Sequence, residues 1–321
     1  MRLRRSDPAT AGIRRVPGAR GEQDYVDAHG RPVVDEATLD RIAALAIPPA
    51  WQDVWICPDP KGHIQAAGTD DAGRRQYLYH PVWRAQRDAE KFERVLLLAA
   101  ELPAARRAAG RDLAGAGLTR RRALGAAFRL IDDSALRIGG EAYLRSARTR
   151  GLTTLLCRHL SVEGASIALS FPGKGGKQWE STIEDAALAA YLAAVLERRG
   201  ERARALGWHE GRWHSLDAAS VNDYLRRRTG LTTSAKDFRT LRGTLVAAEA
   251  LALAGTEPTE RARIKTIAEA VRQAADVLGN TPAVARASYV DPRVFDAYRQ
   301  GRTLDVRPRT SRERALIALL G

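Results

Sequence analysis

The sequence predicts an α+β fold in two domains: a small β-rich N-terminal domain and a larger, mainly α-helical one that carries a three-stranded antiparallel sheet. Three observations predict it. Short strand-like runs separated by Pro, Gly and Asp crowd the stretch from residue 24 to residue 80. Long stretches with apolar residues at helical spacing fill the remainder. Residues 152–183 interrupt those helices with period-two alternation and two glycine turns. A length of 321 residues suits about two domains, each with a core of its own.

In order along the chain, residues 1–20 are basic and rich in Gly, Pro and Ala, which predicts a disordered basic tail. In the N-terminal domain, residues 21–94, a hairpin is expected where Tyr25-Val26 and Pro32-Val33-Val34 flank Ala28-His29-Gly30. A helix over 35–46 follows from Leu39, Ile42 and Leu45, and Pro48-Pro49 ends it. Short strands are expected at 54–57, 63–66 and 76–79. The last of these lies in Arg74-Arg75-Gln76-Tyr77-Leu78-Tyr79-His80, a mixture of cations, an amide and phenols that suits phosphate and base-edge contact, or equally an edge strand with aromatic residues on a core. Pro81 opens a helix that leads out of this domain, with residues 90–102 as a hinge. The second domain, residues 95–321, is expected to hold helices over 103–114, 119–136, 140–147, 185–206, 217–228, 235–253 and 258–278, with the sheet between the third and fourth.

The formal net charge of +14, with a pI near 10.4, points to a polyanionic partner. Residues 1–94 hold 15 basic against 14 acidic residues, so the second domain carries +13 of the +14. Six of the 52 basic residues are lysine, which leaves 46 arginines. Where arginine is so preferred, a retained lysine is either an ordinary surface residue or one whose ammonium must be able to give up a proton, as guanidinium does not. Cys57 and Cys157 lie in apolar runs without metal-ligand spacing, so buried free thiols are expected. The basic start has no apolar signal segment, and no apolar run approaches the ~18 residues of a membrane helix. The expectation is a cytoplasmic, nucleoid-associated protein without a membrane partner.

The candidate chemistry centres on Leu278-Gly279-Asn280-Thr281-Pro282 and Ser288-Tyr289. Gly279 reads as a helix end, Thr281-Pro282 as the cap and first turn of a short helix, and Tyr289 as its far end before Asp291-Pro292. A phenol with a free pKa of about 10 can act as a nucleophile on a DNA phosphodiester only with help. The transition state needs fixed cations on its non-bridging oxygens, the phenol must lose a proton, and the departing 5′-oxygen must gain one. Arginine forks meet the first need. There is no acidic or histidine cluster at metal-ligand spacing.

Leu136-Arg137-Ile138-Gly139-Gly140-Glu141, the hairpin Gly173-Lys174-Gly175, Lys236-Asp237-Phe238-Arg239-Thr240, and Gly279-Asn280-Thr281-Pro282 with Ser288-Tyr289 stand in one order. So arranged, the chain resembles the type IB DNA topoisomerases, especially the small poxvirus-like bacterial ones. Ile47-Pro48-Pro49-Ala50-Trp51, Gly62-His63-Ile64-Gln65-Ala66 and Arg75-Gln76-Tyr77 are similar to that family as well, so the likeness runs from about residue 25 to 300. It implies a monomeric enzyme on double-stranded DNA, working as a C-shaped clamp without ATP, metal or other cofactor. Arg137 and Arg239 would clamp the scissile phosphate and Lys174 would protonate the leaving 5′-hydroxyl, with Lys177 as its competitor for that role. Tyr289 would form a 3′-phosphotyrosyl link, so that one strand can swivel before religation. DNA contacts are implied for Gln76, Tyr77 and Tyr79 in the small domain, and for Tyr143 and Lys236 in the large one. Two positions depart from the pattern. Asn280 stands where histidine is common, so neutral hydrogen bonding replaces any proton or charge at that place. Leu241 stands where an aromatic residue is common. Two rivals are a tyrosine recombinase, in which histidine usually stands three residues before the second arginine where this chain has Lys236, and a non-enzymatic basic DNA-binding protein.

Overall fold

The computed structural model describes residues 1–18, 23–141, 144, 149–173 and 176–321. The chain divides into two compact units, Met1–Glu90 and Lys91–Gly321, against an expected division after residue 94.

The first unit is a five-stranded antiparallel sheet of order β2-β1-β3-β4-β5, built from β1 (Ile13–Pro17), β2 (Gln23–Val26), β3 (Gln52–Ile56), β4 (Ile64–Thr69) and β5 (Arg75–Tyr79). Helix α1 (Glu36–Ala44), capped by the Asp35 carboxylate on Thr38 N, lays Ile42 on a core with Ile13, Val54, Ile56 and Ala66. The basic tail expected to be disordered is instead placed through residue 18. β1 pairs with both β2 and β3, Ile13 is buried, Trp55 Nε1 donates to Thr10 O at 3.0 Å, and Ser6 N donates to His63 Nδ1 at 3.0 Å. Composition alone misses this, because one buried isoleucine and a row of backbone bonds order a segment whose other side chains are polar. The expected hairpin forms about Gly30, with Val26 bridging Pro32, Val33 N donating to Tyr25 O at 2.9 Å and Asp27 N to Arg31 O at 2.8 Å, while β2 takes β1 as its longer partner.

Helix α2 (Pro81–Leu113) runs without a break through the stretch expected as a hinge and through Pro103. Its buried Phe92, Val95, Leu98, Leu102 and Ala105 keep one apolar face in register across the proline, and that face outweighs the missing N–H. In the second unit α3 (Arg120–Ser134) is capped by Thr119 and buries Phe128, Leu130 and Ile131 at the centre of the core. Two short 3-10 turns, Leu152–Thr154 and Cys157–His159, replace the first part of the expected first strand. The three-stranded sheet then follows as β6 (Leu160–Glu163), β7 (Ser166–Pro172) and β8 (Gln178–Glu184), in that order and antiparallel.

α4 (Ala186–Leu196) stops ten residues short of the expected end at 206. A hairpin not expected from the sequence, β9 (Gly207–Glu210) and β10 (Arg212–Ser215), turns at Gly211 with φ of 67°. The remaining helices are α5 (Ala218–Thr229), α6 (Ala235–Ala254), α7 (Glu260–Leu278), α8 (Pro282–Ser288), α9 (Arg293–Arg299) and α10 (Arg312–Leu320). The helix expected over 140–147 falls largely outside the described residues. No helix among the described residues is long and apolar enough to cross a membrane. Both cysteines are buried and free.

Candidate active site

α6 carries Lys236 and Arg239 one turn apart, and its start is fixed firmly. Ser234 caps it, the Asp237 carboxylate accepts from Ser234 N and Oγ at 2.8 Å, and Arg94 Nε reaches the other oxygen of Asp237 at 3.1 Å. Phe238 packs edge-on against Phe128 of α3, with ring centroids 5.6 Å apart. A helix locked at its cap and by an aromatic pair in the core holds the next residue, Arg239, in one place.

Arg239 is 2% exposed, and its guanidinium is used as a structural rivet. Nη1 donates to Ala135 O, at the point where α3 ends in a left-handed turn with φ of 51°, and Nη2 donates to Leu278 O at 2.8 Å, where α7 ends. Arg137, two residues beyond Ala135, donates through Nη2 to Gly279 O at 3.1 Å and to Asn280 Oδ1. Two guanidiniums thus join the loop after α3, helix α6 and the α7–α8 turn. Glycines make the close approaches possible. A Cβ on Gly151 would fall 2.5 Å from Arg137 O, and one on Gly279, at φ of 55°, would fall 2.8 Å from the Trp179 ring. Leu152 N and Thr153 N bond the Arg137 and Ile138 carbonyls at 2.9 Å, which fixes the Arg137 loop from beneath.

Tyr289 ends α8, whose start is Thr281 with Pro282 in the first turn. The Arg239 guanidinium lies over its ring, 5.1 Å from the centroid. Burial alone would push the Tyr289 phenol up; the charge of Arg239, a polar contact with that guanidinium, and the charges of Lys236 and Arg137 outweigh it and hold the phenol below its ordinary value. Burial, followed by repulsion from Arg137, lowers Arg239 to about 10, which still leaves it cationic at neutral pH. Arg137 is lowered for the first of these reasons.

Two buried donors in this cluster have no partner among the described residues: Arg239 Nε and Asn280 Nδ2. Because Arg137 occupies the acceptor end of the Asn280 amide, only its donor end remains free. Buried donors left open cost stability unless an acceptor arrives, so the cluster is arranged to receive oxygen atoms of an anion.

Of the residues expected from the sequence, the structure brings together Arg137, Arg239, Asn280 and Tyr289, with Lys236 exposed at the start of α6 and near enough for its charge to act on the phenol. Lys174 and Tyr143 lie outside the described residues. Lys177 closes the β7–β8 turn, its carbonyl accepting from Gly173 N at 2.8 Å, while its side chain is exposed. In the first unit Tyr77 and Tyr79, 42% and 46% exposed, sit side by side on β5 with ring centroids 6.2 Å apart. Gln76 lies on the opposite face of that strand, its amide held by Asp70 Oδ2 at 2.8 Å.

Sequence reasoning missed the residues that seat the tyrosine backbone. Thr244 Oγ1 accepts from Asp291 N at 3.1 Å and lies 3.4 Å from Tyr289 O, while a Cβ on Gly243 would fall 2.6 Å from that same carbonyl. The available signal was a glycine inside a strongly helical stretch, which usually has a packing reason. No group of three or more His, Cys, Asp or Glu side chains that could hold a metal ion occurs among the described residues.

Known proteins resemble this chain over most of its length. The family described as eukaryotic DNA topoisomerase I, catalytic core, matches residues 80–302, and the bacterial DNA topoisomerase IB, N-terminal domain, matches residues 23–70. A DNA topoisomerase 1B of Acanthamoeba polyphaga mimivirus is 30% identical over 268 residues, a match that covers 81% of this chain and 80% of that protein.

Proposed function

Since the chain belongs to the type IB DNA topoisomerase family, we propose that it relaxes supercoiled DNA through a 3′-phosphotyrosyl intermediate on Tyr289. The Tyr289 oxygen attacks the scissile phosphorus as its proton departs, a phosphorus–oxygen bond to the phenol forms, and the bond to the 5′-oxygen breaks. Lys174 gives that oxygen a proton. Arg137 and Arg239 bind the non-bridging oxygens, with Asn280 Nδ2 as a neutral donor beside them. The freed strand swivels, and the 5′-hydroxyl attacks the phosphotyrosine in reverse. The covalent link keeps the bond energy, so ATP is not needed, and the charge stabilisation a metal could supply is assigned to the two guanidiniums. On this reading the protein acts as a monomer in a bacterial nucleoid and closes its two units around the duplex as a clamp. Tyr77, Tyr79, Gln76, Tyr143 and Lys236 add contacts to DNA.

One observation carries the reading. Four side chains spread from residue 137 to residue 289 meet in one cluster in which two guanidiniums lower a phenol and two buried donors stand open. Cations that hold the phenol below its ordinary value ease the loss of its proton. The test is denaturing-gel capture of a protein–DNA adduct together with plasmid relaxation in the presence of a chelator. Both are expected for the unaltered protein, and both should vanish in Tyr289→Phe. Relaxation that survives that substitution, or that the chelator abolishes, would overturn the mechanism. Relaxation of any supercoiled circle without paired sites separates it from a recombinase, and the adduct separates it from a purely electrostatic DNA binder.

A further inference from the structure

A second concentration of arginine lies apart from the tyrosine cluster. Arg150, Arg158, Arg202 and Arg204, with Leu144 and Leu156, line an open cavity of about 540 Å³ with no acidic side chain among the described residues of its wall. The backbone builds it. Leu156 bridges Arg204, Cys157 N donates to Ala203 O at 2.9 Å, and Arg158 N donates to Glu201 O at 3.0 Å, so the two segments run side by side and bring their arginines to one place. The Thr154 carbonyl accepts from Arg150 Nη1 at 2.7 Å and from Arg204 Nη1 at 2.9 Å, which holds two guanidiniums on a single oxygen. Among the described residues only Arg204 of the four has an acid partner, Glu141 Oε1 at 2.7 Å. Among the described residues, the four lining cations thus share one carboxylate partner, so positive charge is in excess there.

Such an arrangement opposes itself. Burial, and then the charges of Arg204 and Arg158, hold the Arg150 guanidinium below its usual value. Burial, with Arg150 and Arg158 behind it, holds His159 at about 4, so the neighbouring imidazole stays neutral and adds no further cation near pH 7. An anion entering the cavity relieves the repulsion and stabilises the folded chain by mass action. Guanidinium forks fit the oxygens of phosphate better than a point cation does, and an open cavity admits a phosphate still joined to a larger molecule. We propose that this cavity is a second phosphate-binding site, filled by the phosphodiester backbone of DNA or by a free phosphoryl anion. The backbone ties it to the first site: Arg150 adjoins Gly151, whose Cα packs on Gly139, and Leu152 N bonds the Arg137 carbonyl at 2.9 Å. A phosphate held by Arg150 is therefore fixed relative to one held by Arg137, as two phosphates of one duplex are, which favours the DNA source.

That source rests on the reading of the chain as a DNA-cleaving topoisomerase, and the experiment keeps the two apart. In the full chain, Arg158→Ala and Arg202→Ala are combined; both residues are exposed and neither belongs to the tyrosine cluster. Duplex affinity is measured by fluorescence anisotropy over a salt series, in a Tyr289→Phe background that prevents cleavage. The slope of log affinity against log salt is expected to fall by about 0.9 for each phosphate that is no longer neutralised, hence by about 2, and to be restored by lysine at both positions. Adduct formation at saturating duplex, with Tyr289 intact, should be unchanged. Should the alanine protein be unstable, glutamine at both positions gives the same comparison. Calorimetric titration of pyrophosphate onto DNA-free protein forms the other arm: binding abolished in the variant with an unaltered DNA slope assigns the site to a free phosphoryl anion. If slope and pyrophosphate binding both match the unaltered protein, the site does not exist. If the slope falls but no adduct forms in any version, the site stands and the cleavage mechanism fails.

Discussion

Gly243→Ala tests how Tyr289, the proposed nucleophile, is held. A Cβ there would lie 2.6 Å from Tyr289 O, 2.9 Å from Leu278 Cδ1 and 3.3 Å from Tyr289 Cβ. The leucine methyl can rotate away, but the carbonyl belongs to the backbone of Tyr289 itself. Ordinary contact begins at 3.4 Å, so α6 and the end of α8 must part by about 0.8 Å. Alanine favours a helix over glycine by about 0.8–1.0 kcal/mol. Overpacking of this kind costs about 1–3 kcal/mol. The balance runs from near zero to a loss of about 2 kcal/mol, small against a stability of about 5–15 kcal/mol, so the protein stays folded. Its chemistry does not escape as easily, since a shift of about 1 Å in a reacting group can cost about a hundredfold. The expected result is covalent adduct formation slowed by about 10- to 100-fold at saturating duplex, with non-covalent DNA affinity within about twofold of normal. The assay is a single-turnover time course on a short duplex whose cleaved fragment dissociates, read on a denaturing gel beside a melting curve. An unchanged rate at unchanged melting temperature would show that the contact with the Tyr289 carbonyl does not position the phenol.

Other predictions address the groups around that phenol. Asn280→His should keep activity, because a ring N–H can replace the amide donor, whereas Asn280→Ala should lose about 10²–10³-fold in cleavage, as removal of a preorganised donor does; equal plasmid relaxation by all three forms would refute the donor role. The phenol itself should titrate early. The difference in ultraviolet phenolate absorbance between the unaltered protein and Tyr289→Phe should rise below the ordinary tyrosine value. Because the Lys236 charge favours the phenolate, Lys236→Ala should move that rise to higher pH. No upward movement would mean that Lys236 acts elsewhere.

Much of the candidate site was legible in the chain because it is written in local chemistry. Gly279, Thr281 and Pro282 announce a helix end followed by a helix start, and the structure ends α7 and begins α8 there. The strand alternation between residues 160 and 184 and its glycine turn were equally open to reading. The failures have a common cause. The first eighteen residues look disordered until β3 is present to pair with β1, and the Pro103 position looks like a break until its flanking apolar face has a core to pack on. In both cases tertiary partners supply the free energy that composition lacks.

The sequence by itself determined which groups could do the chemistry: a tyrosine needing assistance, arginines kept for permanent charge, and an asparagine where no proton can be carried. Only the tertiary structure decided how they are held. It set the Arg239 guanidinium over the Tyr289 ring, used Arg137 to occupy the acceptor end of Asn280, and placed Gly243 against the Tyr289 carbonyl. Residue types carry pKa and hydrogen-bonding capacity wherever they stand. The balance by which burial raises a phenol and neighbouring cations lower it is a sum over distances, and distances between residues 137, 239 and 289 exist only after the chain has folded.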